Sequence, residues 1–129
     1  MNEKAKRIFI ADDDEDILDI LGMMLRLQKY EVVSSTNPEE IFNLTTEIPD
    51  IILLDIWMSG MDGREICKRL KADERTSHVP VLFISANSNI SDIARECNAN
   101  GYIAKPFEMS ELVSYIRKVL ENSSQASEK

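Results

Sequence analysis

Basic residues are in short supply in this sequence. Its 15 lysines and arginines face 23 aspartates and glutamates, a formal net charge of -8. That balance excludes a direct nucleic-acid-binding face, because a phosphate backbone demands clustered Lys and Arg. Histidine is scarcer still: His78 stands alone, in a loop before the apolar run VPVLF. It reads there as a structural residue rather than a phosphoryl carrier, which would want an exposed helix face. The two cysteines, Cys67 and Cys97, make no C-x-x-C pair and have no histidine at ligand spacing. A zinc or redox motif is therefore excluded, leaving two helical thiols in a reducing, cytoplasmic compartment. Long hydrophobic runs are missing too. No stretch approaches a membrane span, and the opening MNEKAKRIFI is too short in apolar residues for a signal peptide. No repeat, linker or second domain interrupts the 129 residues, so the expectation is one domain over 1–129, with a core at about 7–120 and a polar tail at 121–129.

What is present is an alternation of two periodicities. Strand patterns fall at RIFIA (7–11), EVVSS (31–35), IILLD (51–55), VPVLFIS (79–85) and YIAK (102–105). All but the second are nearly continuous apolar runs, as expected of strands covered on both faces. Between them lie amphipathic stretches carried by Ile17, Leu21, Met24 and Leu25, then Ile41 and Leu44, then Ile66 and Leu70, and finally Leu112, Ile116 and Leu120. The segment 88–99, rich in Ser and Asn, has the weakest helical pattern. Asn37-Pro38-Glu39-Glu40 reads as a capped helix start. Pro49 and Pro80 stand at strand beginnings, and Gly101 is expected to stop the fourth helix. Five strands alternating with five helices predict an α/β doubly wound (βα)5 sandwich of three layers. The parallel five-stranded sheet is expected in the flavodoxin-like order 2-1-3-4-5.

In that order the ligand crevice lies beyond the carboxyl ends of the strands. The residues there are polar: Asp12 and Asp13 after the first strand, Asp55 at the third, Ser85 at the fourth and Lys105 at the fifth. Three close carboxylates need a counter-ion to stay ionised. A hard divalent cation, Mg2+ (or Mn2+), takes oxygen ligands and commonly binds through carboxylates plus a phosphate. Lys105 adds a point charge suited to a phosphoryl oxygen, and Ser85 a hydroxyl for another. Asp55, fixed at the end of an apolar strand, is the natural nucleophile for an aspartyl phosphate.

The motifs ADDDED, LLDIWMSGMDG, FISA and YIAKPF, in this order and spacing, resemble the receiver domain of two-component response regulators. The resemblance runs from about Arg7 to Leu120 and includes single-domain receivers of the chemotaxis type. It implies a phosphoprotein that takes a phosphoryl group from a sensor histidine kinase or a histidine phosphotransfer protein. By position, Asp55 would be the phosphoacceptor. Asp13 would hold the metal directly, Asp12 largely through water, and Asp55 and the Trp57 backbone carbonyl would complete the site. Ser85 and Lys105 match the residues that meet the phosphoryl group, while Ser85 and Tyr102 match the switch pair. The Lys105–Pro106 bond is usually cis in the family. Ser59 stands where the family commonly has proline, which bears on loop stiffness. Trp57 and Asn87 occupy positions that influence dephosphorylation, and a bulky indole there implies slow loss of the phosphoryl group. The implied signalling surface is the fourth helix, fifth strand and fifth helix, roughly Ser88 to Leu120, and a weak dimer would use it if the protein is not a monomer. No output domain follows Leu120 in this sequence, so an unidentified downstream protein is the expected target, whether of a chemotaxis-type regulator or a phosphorelay intermediate; a receiver cut from a longer chain is the third reading. The protein is expected to catalyse only its own phosphorylation and dephosphorylation.

Other readings of the acidic run compete. Asp12, Asp14 and Asp16 open a D-x-D-x-D calcium loop, but the sixth position is Ile17 and the twelfth Met23. An aspartate-nucleophile phosphohydrolase of the haloacid-dehalogenase type would use Asp12-x-Asp14, yet Asp16 occupies its Thr or Val position and Asp55 is left without a role. A degenerate receiver that only docks would not need all five polar residues. Asp14, Glu15 and Asp16 read as the acidic start of a helix, and Asp62 as a helix cap. Gly22 reads as a site of close packing.

Overall fold

The computed structural model describes residues 5–43, 48–58 and 60–127. In chain order its elements are β1 (Arg7–Ala11), α1 (Glu15–Leu27), β2 (Glu31–Ser35), a 3-10 helix (Pro38–Asn43), β3 (Ile51–Leu54), β4 (Trp57–Met58), β5 (Met61–Asp62), α2 (Gly63–Ala72), β6 (Val81–Ser85), α3 (Ile90–Glu96), β7 (Gly101–Ala104) and α4 (Met109–Ser127). Five strands pair in parallel in the order β2-β1-β3-β6-β7. With the two-residue strands β4 and β5 set aside as a separate antiparallel hairpin, this is the expected 2-1-3-4-5 sheet.

The apolar runs explain the layering. Strand residues alternate between faces, so Ile8, Ile10, Ile51 and Leu53 pack with α1 and α4, while Phe9, Ile52, Leu54 and Phe83 pack with α2 and α3. The central strand β3 is buried throughout. The edge strands are not. In β2 only Ser35 is buried, and β7 alternates between half-buried and exposed residues. The near-continuous apolar run expected of the fifth strand is therefore corrected: an edge strand needs cover on one face only.

Three further expectations differ. The second helix is 3-10 over Pro38–Asn43, with Glu40 N–H bonded to the Asn37 carbonyl three residues back. Asn37 still caps, its side chain accepting from Glu39 N–H at 3.0 Å, but Ser35 Oγ bonds the Asn37 carbonyl and the Glu40 carboxylate. Those local bonds compete with a full α-turn; Leu44 lies outside the described residues. Gly101 does not stop the fourth helix. That role falls to Asn98 at φ 60°, where Ala99 N–H bonds Ala94 C=O and Asn98 N–H bonds Arg95 C=O, a Schellman end. Gly101 instead opens β7 beneath Tyr115, whose hydroxyl occupies the space a Cβ would need. The last helix continues to Ser127 rather than ending near Leu120.

Candidate functional site

Strand register builds the site. Ala11 pairs with Leu54, so the next residues, Asp12 and Asp55, stand side by side. Ser85 pairs with Ala104, and Lys105 follows at once. Backbone bonds extend each ladder by one step: Asp55 N–H to Ala11 C=O at 3.0 Å, and Lys105 N–H to Ser85 C=O at 2.9 Å. The polar side chains thus sit on the last rigid backbone before the loops begin.

Asp12 and Ser85 are buried, Asp55 and Lys105 are partly buried, and Asp13 is exposed. The Lys105 ammonium lies 3.0 Å from Asp12 Oδ2 and 3.2 Å from Asp55 Oδ2. Asp12 Oδ1 accepts from Asp14 N–H at 2.9 Å. Asp12, Asp13 and Asp55 each offer an oxygen within 4.8 Å of the others. Such an all-oxygen cluster suits a hard divalent cation. Burial, and then the neighbouring Asp12 carboxylate, push the Asp55 carboxyl above its ordinary value, against the pull of Lys105. Burial alone would lower the Lys105 pKa, but its bond to Asp12 and the charges of Asp12 and Asp55 outweigh that and hold it high. The two directions have different causes: burial dominates for Asp55, while the two carboxylates together prevail for Lys105. The lysine gains from both carboxylates, while Asp55 still feels the charge of Asp12.

The remaining residues of the acidic run divide as expected. Asp14 caps α1, accepting from Asp16 N–H at 3.0 Å and Ile17 N–H at 3.3 Å, and Glu15 and Asp16 fill the first turn. Asp14 is turned to the helix N-terminus and stands outside the Asp12, Asp13 and Asp55 cluster, so the calcium-loop and D-x-D nucleophile readings are not favoured. Ser85 Oγ accepts from Asn87 N–H at 3.1 Å, which leaves its own proton to be donated. Trp57 lies two residues past Asp55 on β4, with its side chain exposed, and Tyr102 is exposed on β7. The Lys105–Pro106 bond is cis. Ser59 lies outside the described residues.

The sequence reading missed Gly63. A Cβ there would overlap the Asp55 carbonyl oxygen and crowd Ile56, and Gly63 N–H bonds the Ile56 carbonyl. Its signal was a glycine at the first position of a helix, where it costs stability unless a backbone passes close by.

The family model described as the response regulator receiver domain matches residues 8–117. This chain is a response regulator receiver domain. The receiver is 33% identical over 120 residues to the DNA-binding dual master transcriptional regulator RpaA of Synechocystis, covering 91% of this chain and 50% of that protein. It is 37% identical over 113 residues to the nisin biosynthesis regulatory protein NisR of Lactococcus lactis, covering 85% and 48%. The chain spans about half the length of the curated relatives it matches. Among solved structures, a response regulator receiver domain protein from Methanospirillum hungatei superposes with a TM-score of 0.86 at 25% identity, covering 95% of the receiver and 98% of that chain. No helix among the described residues is long and apolar enough to cross a membrane.

Proposed function

We propose that the receiver accepts a phosphoryl group on Asp55 from a phosphohistidine of a sensor histidine kinase or histidine phosphotransfer protein. The observation that carries this reading is the shared contact of Lys105 with Asp12 and Asp55 beside the exposed Asp13. An Asp55 oxygen attacks phosphorus as the phosphorus–nitrogen bond breaks, and the imidazole leaves with the electron pair. Lys105 moves onto a phosphoryl oxygen as its point-charge partner, and Ser85 donates its hydroxyl proton to a second oxygen. Asp12, Asp13 and Asp55, with the Trp57 carbonyl, would hold magnesium. Bound there, the ion would neutralise charge on the transferring phosphoryl group.

Phosphorylation changes which downstream protein the receiver binds, with Ser85 and Tyr102 as the switch pair and α3, β7 and α4 as the surface read by that partner. Its own chemistry is confined to gaining and losing the phosphoryl group. With a net charge of -8, its surface does not itself grip nucleic acid. Incubation with acetyl phosphate, with and without magnesium, followed by a phosphate-affinity gel tests the reading. Modification should require magnesium and vanish in Asp55→Asn; labelling that persists in that variant refutes the acceptor assignment.

A further inference from the structure

Strand β2 ends the sheet among the described residues, so one side of its backbone pairs with β1 and the other faces outward. Glu31 N–H bonds the Lys6 carbonyl, and Ser35 C=O accepts from Asp12 N–H. By alternation Glu31, Val33 and Ser35 present their backbone groups to β1, while Val32 and Ser34 turn theirs to the open edge. One of those outward groups is taken. The Arg26 guanidinium, from the last turn of α1, bonds the Val32 carbonyl at 3.2 Å. Gly22, one turn earlier, clears its path: the first atoms a Cβ there would meet belong to that guanidinium, with Nη1 at 3.0 Å. We propose that the β2 edge is a docking surface for a second copy of this chain, and that Arg26 is the latch that keeps it shut.

The edge is self-complementary. Two antiparallel β2 strands related by a twofold axis at Val33 set Val32 opposite Ser34 of the second copy, and Ser34 opposite its Val32. Both are hydrogen-bonded pairs, so the outward groups of the two strands satisfy one another. Val33, exposed in the single chain, meets its own copy on one face of the joined sheets. Glu31 faces Ser35, so no like charges oppose each other across the seam. Arg26 blocks this pairing. Its guanidinium stands where a partner N–H has to arrive, and the twofold axis repeats the obstruction on the other strand. The surface is separate from the carboxylate cluster and from α3, β7 and α4.

Sedimentation equilibrium of the whole chain, without metal or phosphoryl donor, tests this. Arg26→Ala should dimerise at least about tenfold more tightly than the wild type, because two Val32 carbonyls are released to the seam. Gly22→Ala, which crowds the guanidinium off its course, should move association in the same direction with Arg26 still present. Adding Val33→Lys to Arg26→Ala should restore wild-type behaviour by setting two ammonium groups face to face. Val33→Cys reports the seam directly, since Cys67 and Cys97 are buried. Copper-phenanthroline oxidation should join two chains through the new thiol quickly with Arg26→Ala and slowly with Arg26 intact. An Arg26→Ala chain that associates no more tightly than the wild type overturns the proposal. So does association that survives Val33→Lys, or cross-linking at the same rate whether or not Arg26 is present.

Discussion

Asp55 owes its position to a residue with no side chain. Gly63 lets the first turn of α2 pass directly over the Asp55 and Ile56 backbone. Gly63→Ala should cost about 1–3 kcal/mol, the range for forcing a methyl group into a packed contact, read from urea unfolding. If Asp55 is the acceptor, the same variant should also lower phosphorylation by acetyl phosphate, because the Asp55 backbone and the first turn of α2 must move apart to make room. Trp57 gives a second test at this scale. Replacing the indole with Asn should shorten the phosphoryl lifetime, followed as decay of the phosphorylated band; an unchanged or longer lifetime removes any screening role. Cys67 is silent for a different reason. Burial, and then the nearby Cys97, push its thiol up to about 11 from an ordinary value of 9.0, so at pH 8 it is a neutral core side chain. Because the folded value is the higher one, its contribution to stability is intact below pH 9 and falls as pH rises toward 11. Iodoacetamide at pH 8 should leave Cys67 unmodified in the native protein and label it once the chain is unfolded in urea.

Helix ends decide much at the scale of elements. Asp62 caps α2 through Arg64 N–H at 2.9 Å and is also gripped by the Arg64 side chain. That grip is the main cause that holds its carboxyl below the ordinary value. The cap therefore stabilises the fold above the ordinary carboxylate value and fades as pH falls through the lowered one. Asp62→Ala should cost about 1 kcal/mol near neutral pH, with the difference from wild type shrinking in acid. At the other end of α1, Lys29 sits at φ 74°, where Lys29 N–H bonds Arg26 C=O and Tyr30 N–H bonds Leu25 C=O. Lys29→Gly should raise stability by about 0.5–1 kcal/mol, since glycine takes that conformation without strain. These ends also mark where sequence reasoning succeeds and where it stops. Asp14 and Asp62 are legible because a carboxylate before an apolar periodicity has a local purpose. Lys29 is not, because a left-handed lysine carries no compositional flag, and Asn98 is passed over because Gly101, three residues on, is the stronger stop signal. The 3-10 geometry after Asn37 was hidden for a similar reason: the capping sequence fits a short helix as well as a long one, and the side-chain bonds of Ser35 decide between them.

Over the whole molecule, the sheet was legible because β1, β3 and β6 are apolar on both faces, a pattern few other folds require. The edge character of β7 was not, since Tyr102-Ile103-Ala104 reads as apolar although Tyr102 and Ala104 face outward. Asp12, Asp55, Ser85 and Lys105 were found by counting to the strand ends, but the sharing of one ammonium between two carboxylates depends on side-chain geometry that spacing does not carry. Central and edge strands should differ sharply on truncation. Leu53→Ala, at 0% exposure, should cost about 2–5 kcal/mol. Val33→Ala, 39% exposed on β2, should stay within about 0.5 kcal/mol by thermal or urea unfolding. The register of β1, β3, β6 and β7 carries one more consequence. The gap between Asp12 and Asp55 is measured by the roughly 4.8 Å spacing of neighbouring strands, not by the 42 residues between them. The crossovers can therefore lengthen or shorten over evolutionary time while the distance between the two carboxylates stays constant. A single residue lost within β3 would turn Asp55 to the opposite face of the sheet. The strands keep the ruler, and the loops are free to forget it.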